Sequence, residues 1–142
     1  ALESEHSIRE FLRGPDVVFI VSSLGGGTGS GAAPVVARVA SATGAATFAL
    51  CVTPFAGEGP KLNANAKEGL KRLTEAADSV FVFPNQRLVE AMPKADLNAG
   101  FTIPDELFLR VIRGVTEGYV AADDDTPSAP DECVVLEGAH VR

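Results

Sequence analysis

Seven residues, Gly25-Gly26-Gly27-Thr28-Gly29-Ser30-Gly31, place five glycines and two hydroxyls between an apolar run and a run of small helix formers. Such a stretch can do one kind of chemistry well: holding phosphate. Glycine lets the backbone turn tightly and approach a ligand with no Cβ in the way, and the free N–H groups of a following helix carry a partial positive charge toward it. The flanks supply what that chemistry needs. Val17-Val18-Phe19-Ile20-Val21 has the length and branched or aromatic content of a strand buried on both faces. Ala32 to Ala40 reads as a helix with Pro34 in its first turn, where a missing N–H costs nothing.

Three kinds of glycine loop imply different ligands. A P-loop requires Gly-Lys-Ser/Thr, and no lysine lies between Arg13 and Lys61. A dinucleotide fingerprint fits Gly27-x-Gly29-x-x-Ala32 but also wants an acid at the end of the next strand, and here Thr47 to Val52 leads into Thr53-Pro54. A dinucleotide-binding oxidoreductase domain therefore stands only as an alternative. The complete run resembles the signature loop of the tubulin and FtsZ superfamily of GTP-binding, filament-forming proteins. The resemblance continues in order through Thr53-Pro54-Phe55 with Glu58-Gly59, Phe83-Pro84-Asn85 followed by Leu88, and Phe101 to Leu107, covering roughly residues 8 to 120.

That resemblance implies GTP or GDP as ligand, with Mg²⁺ as an accompanying ion. It places the phosphates on Gly25, Gly26, Gly27, Thr28, Gly29 and Ser30, a ribose hydroxyl on Glu58, and the guanine on Asn85, Phe101 and Asp105, with Glu106 a weaker second candidate. A carboxylate suits guanine, which presents N1–H and N2–H₂ side by side. Leu62 stands where the family has a nucleotide-contacting arginine, with Lys61 beside it. The family's earlier phosphate loop has no counterpart here, and Asp123-Asp124-Asp125 occupies the place of an Asn-x-Asp-x-x-Asp catalytic loop. No catalytic residue and no protein metal ligand is assigned. The expectation is the GTP-binding segment of a cell-division protein that polymerises and hydrolyses GTP, truncated and inactive alone. A second reading, of a different class, is a non-enzymatic remnant that binds a full-length homologue through an uncovered sheet edge.

Composition limits the partners. The 142 residues carry a formal charge of −7, so a polyphosphate must be held by backbone amides, a metal ion and few cations. Nucleic acid and anionic membrane surfaces are disfavoured, and the acidity reads as a solvated surface. Cys51 in an apolar strand and Cys133 near the end have no paired spacing, which suits a reducing cytoplasm. His6 and His140 lie near the two ends, far from any position for a metal cluster or triad. No apolar run approaches the ~18 to 20 residues of a membrane helix.

The remaining elements must carry these residues to one place. Ser4 to Leu12 reads as a short helix with Ile8, Phe11 and Leu12 on one side. Leu62 to Ala77 reads as a helix packed through Leu62, Ala66, Leu70 and Leu73, Ser79 to Phe83 as a third strand, and Gln86 to Met92 as a short helix. Pro93 to Gly100 reads as a connection to a long helix that has Pro104 in its first turn, runs to about Tyr119, and aligns Leu107, Val111, Val115 and Gly118. Strands alternating with helices predict an α/β fold, three-layered and Rossmann-like, with a mainly parallel sheet flanked by helices. In such sheets ligands sit at the carboxyl ends of the strands, and Gly25, Pro54 and Pro84-Asn85 all follow strand ends. Residues 1–120 form the predicted domain. Residues 121–142 read as an acidic, proline-containing tail in which Cys133 to Leu136 is a candidate short strand.

Overall fold

The structure is a computed structural model that describes residues 4–90, 97–122 and 134–137, with side chains described for 4–87 and 106–118. The elements run α1 (Glu5–Phe11), β1 (Val17–Ser23), α2 (Gly27–Ala42), β2 (Ala46–Thr53), a 3₁₀ turn (Ala56–Glu58), α3 (Pro60–Ala76), β3 (Ser79–Pro84), α4 (Asn85–Glu90), α5 (Leu97–Ala122) and β4 (Val134–Glu137). The strands form one sheet in the order β3-β2-β1-β4, and every pairing is parallel.

Alternation along β1 divides the core in two. Val18 and Ile20 join one cluster with Leu12, Leu24, Ala33, Ala37, Ala66 and Leu73, contributed by α1, α2 and α3. Val17 and Phe19 join the other with Leu50 and Phe108, and Phe48, Phe83, Val111, Ile112 and Val115 pack against it. Helices thus cover both faces, the three-layer α/β arrangement that unbroken apolar strands require. The alanines of α2 let it lie close on the sheet. Asp78 fixes the entry to β3 twice over: its Oδ2 accepts the Thr47 N–H at 2.7 Å, and its own N–H donates to the Thr47 carbonyl at 3.0 Å.

Several expectations are corrected. Helix α2 starts five residues earlier than predicted, at Gly27, so Pro34 lies inside it and is buried. Thr28, Gly29 and Ser30 accept helical geometry because the packing of α2 on β1 outweighs the poor helix propensity of glycine. Only Ile8 of α1 and Leu12, which caps it one turn later, reach the core, while Phe11 is 65% exposed. Leu62 is likewise outside the core, and α3 buries Ala66, Gly69 and Leu73 instead. Helix α5 begins at Leu97 with Pro104 internal, and its packing stripe is Phe108, Val111, Ile112 and Val115, with Gly118 exposed. The short strand predicted near the end is β4, paired with Val18 to Val21 of β1. Residues 91–92 of the predicted short helix, 93–96 of the predicted connection, the Asp123–Asp125 acids and Cys133 lie outside the described residues.

Two predictions follow from this packing. Phe108 meets Phe83 edge-on, with ring centroids 5.1 Å apart, and joins α5 to the sheet. Phe108→Ala should lower unfolding free energy by about 3 kcal/mol, whereas Leu109→Ala, at a position 53% exposed, should change it by less than about 0.5 kcal/mol, both read from urea denaturation. The second concerns Cys51, fully buried in β2 with its Sγ 3.6 Å from the Phe81 carbonyl. Burial pushes its thiol from an ordinary value of 9.0 up to about 12. The folded state therefore keeps a proton that the unfolded chain releases, so this contribution is intact below pH 9.0 and lost as pH rises toward 12. Denaturation midpoints between about pH 8 and 11 should fall less steeply for Cys51→Ala than for the parent chain.

Candidate functional site

The carboxyl ends of β1, β2 and β3 are level, because the register pairs Ser23 with Val52, Val52 with Phe83 and Thr53 with Pro84. Three connections therefore leave from one edge. The first is the glycine run. Leu24 N–H still donates to the Val52 carbonyl at 2.8 Å, extending the β1 pairing by one residue. At Gly25 the chain turns with φ +109°, a left-handed conformation that favours glycine, and its N–H donates to Ser30 Oγ at 2.8 Å. Gly26 then caps α2 in an extended conformation, and the first helical bond runs from Ser30 N–H to the Gly26 carbonyl at 3.2 Å.

The consequence is a row of donors. The N–H groups of Gly26, Gly27, Thr28 and Gly29 have no helical carbonyl to meet, and no side chain among the described residues caps them. Gly27 and Thr28 are exposed, Gly26 and Gly29 half-buried. The first turn holds no acidic residue and the helix is 16 residues long, so its positive end faces outward unopposed. Gly29 is indispensable to this placement, since a Cβ there would collide with the Ser23 carbonyl oxygen. A Cβ on Gly27 would meet nothing within 4 Å, so that side is open to a ligand.

The predicted site residues are distributed as follows. Gly26, Gly27, Thr28 and Gly29 form the donor row. Thr28 is the second residue inside the helix, and Gly26 is the cap. Gly25 and Ser30 close the turn on each other, so the Gly25 N–H is already used. Glu58 is exposed on the neighbouring loop, where its Oε1 accepts the Phe55 N–H at 2.7 Å. That loop is pinned from behind by Asn63, whose Nδ2 donates to the Gly59 carbonyl at 2.9 Å. Pro54 closes on the glycine turn, its Cγ 3.4 Å from where a Gly25 Cβ would stand. Asn85, half-buried, begins α4 directly after β3 at the same edge. Phe101 and Asp105 fall in the first turns of α5, and their side chains lie outside the described residues. Glu106 is exposed and pairs with Arg110 at 2.9 Å.

Three residues went unnoticed in the sequence. Ser22, on β1 just before the run, is buried with no hydrogen-bond partner for its hydroxyl among the described residues. Asn65 donates to the Gly25 carbonyl at 3.3 Å, and Gly69 is buried against Ser30. An asparagine on a helix's polar side carries no local signal, because its role arises from a contact 40 residues away in sequence. No group of three or more His, Cys, Asp or Glu side chains that could hold a metal occurs among the described residues. No described helix is long and apolar enough to cross a membrane.

Residues 1–93 match the model of the Tubulin/FtsZ family, GTPase domain. The chain is 48% identical over 117 residues to cell division protein FtsZ 1 of Archaeoglobus fulgidus, covering 82% of this chain and 32% of that protein. It is 47% identical over 117 residues to cell division protein FtsZ of Methanothermobacter thermautotrophicus, covering 82% and 31%. Among solved structures, an FtsZ dimer of M. jannaschii superposes with a TM-score of 0.71 at 40% identity, covering 80% of this chain and 33% of that one. CetZ from Methanosaeta thermophila gives 0.70 at 25%, covering 90% and 36%. The chain thus spans about a third of the length of these relatives.

The glycine contacts generate a paired prediction. Gly29→Ala should destabilise the fold by more than about 2 kcal/mol through the enforced clash. Gly27→Ala should leave the melting temperature unchanged or slightly raised, since alanine favours the helix. Thermal denaturation of the two variants side by side checks both.

Proposed function

This chain belongs to the tubulin/FtsZ family of GTPase domains, and we propose that it forms the guanine-nucleotide-binding segment of a cytoplasmic cell-division protein that self-associates into filaments and hydrolyses GTP. The observation that carries this reading is the row of unpartnered N–H groups at the start of α2, level with the Glu58 loop and Asn85 on one sheet edge.

In this reading the backbone of Gly26 to Gly29 holds phosphate oxygens, and the Thr28 hydroxyl donates to one of them or ligates the accompanying Mg²⁺. The donor set suits that ion, since Mg²⁺ binds through one or two protein oxygens plus phosphates and water, without a cluster of acids. Glu58 accepts from a ribose hydroxyl through the carboxylate oxygen not held by Phe55. Asn85, Asp105 and Phe101 meet the base, Asp105 accepting from the paired guanine donors. Hydrolysis is attack of water on the γ-phosphate, and the contribution of these residues is electrostatic and positional. No residue here is assigned to activate the water, so turnover by the 142 residues alone is expected to be negligible.

Titration with fluorescent N-methylanthraniloyl GDP tests the proposal. The chain should bind it, Thr28→Ala should weaken binding about five- to tenfold, and Asn85→Ala should narrow the preference for guanine over adenine nucleotides. Stabilisation by NAD with none by GDP would replace this reading with the oxidoreductase alternative.

A further inference from the structure

Helix α3 touches the glycine run along one stripe. Leu62, Asn65 and Gly69 follow the i, i+3, i+7 spacing that places residues on one helical face. All three meet the run. The Leu62 Cδ2 and carbonyl oxygen lie 3.1 and 3.3 Å from where a Gly25 Cβ would stand. The Asn65 Nδ2 donates to the Gly25 carbonyl. Gly69 packs so closely on Ser30 that an added Cβ would lie 2.7 Å from the Ser30 Cβ and 2.9 Å from its Oγ. That Oγ is the acceptor for the Gly25 N–H.

These contacts converge on Gly25. Its φ of +109° is the bend that turns β1 into α2, and both of its backbone polar groups are satisfied, one by Ser30 and one by Asn65. The partner of the N–H is itself held from behind by Gly69. Releasing either bond frees the bend, and with it the direction in which the Gly26 to Gly29 amides point. The same helix begins next to the Glu58 loop, since Gly59 caps it and Asn63 on its first turn pins that loop. One rigid element thus sets the separation between the proposed phosphate-holding and ribose-holding groups.

We propose that Asn65 and Gly69 are positioning residues for nucleotide binding, fixing the glycine turn from α3 without touching the ligand. This inference rests on the nucleotide reading above, and its test separates the two. Asn65→Ala and Asn65→Asp remove the donor, the second while keeping side-chain size, and Glu68→Ala alters the same helix at a residue that pairs with exposed Arg72. Amide hydrogen exchange at Gly25, measured without nucleotide, should accelerate about fivefold in both Asn65 variants and stay at the parent rate in Glu68→Ala. Affinity for N-methylanthraniloyl GDP should fall about fivefold in the Asn65 variants, with melting temperatures close to the parent's. Gly69→Ala should show both effects more strongly. Should it not fold, the Asn65 pair decides the matter alone. Parent-like exchange and parent-like affinity in both Asn65 variants overturn the inference. Failure of the parent chain to bind the nucleotide overturns the functional reading instead, while the exchange comparison still decides whether α3 holds the turn.

Discussion

The seat of Gly29 on the Ser23 carbonyl is the contact from which the arrangement of this chain follows. A helix can present its free amides at the mouth of a parallel sheet only if its first turn comes down almost onto the strand it continues, and any side chain at position 29 forbids that approach. With the hydrogen in place of a Cβ, four donors are left at the sheet's edge and the dipole of a 16-residue helix stands behind them. The alanines at 33, 37 and 40 continue the same approach along the strand. Small residues are therefore a geometric requirement of this layer, and the larger side chains go to the opposite face, where Phe19, Phe83 and Phe108 fill a wider gap.

Under the proposed function, a chain of net charge −7 that holds a polyphosphate cannot rely on its average field. Local dipoles at the start of α2 would serve instead. Their attraction acts over a few ångströms at the helix start, and among the residues with described side chains the acidic ones other than Glu5 stand exposed, where solvent and salt screen their repulsion. Leu62, an uncharged residue beside the glycine turn, fits this economy of charge. It leans on Gly25 and gives shape to the turn through packing.

How much of this the sequence disclosed depended on whether the information was local. Strands β1, β2 and β3 are readable from their unbroken apolar runs, and the shared edge follows from parallel topology. The start of α2 was misplaced because glycine's low helix propensity suggested a loop through position 31, and only the contact with Ser23 reveals why helix wins there. Leu62 and Phe11 were assigned to the core by periodicity, which reports a helix face but not how wide a strip its neighbours cover. Phe108 and Ile112 were overlooked on α5 for the same reason, the face being rotated by about one residue. Asn65 and Gly69 have no legible signal, since each acquires its role from a partner on another element, and the burial of Ser22 follows only from the packing around β1.

Strand β3 stands at the end of the described sheet with a single neighbour, β2, and Val82 near its middle is 39% exposed. Its outer row of amides and carbonyls is a template onto which another strand can add, the usual route by which sheet proteins coalesce. No proline or lysine interrupts it before Pro84. What keeps copies of the chain apart is then their shared negative charge, a repulsion that reaches only about 8 Å at physiological ionic strength. Solubility and edge-to-edge association are accordingly set against one another by salt, independently of anything bound at the far corner of the sheet.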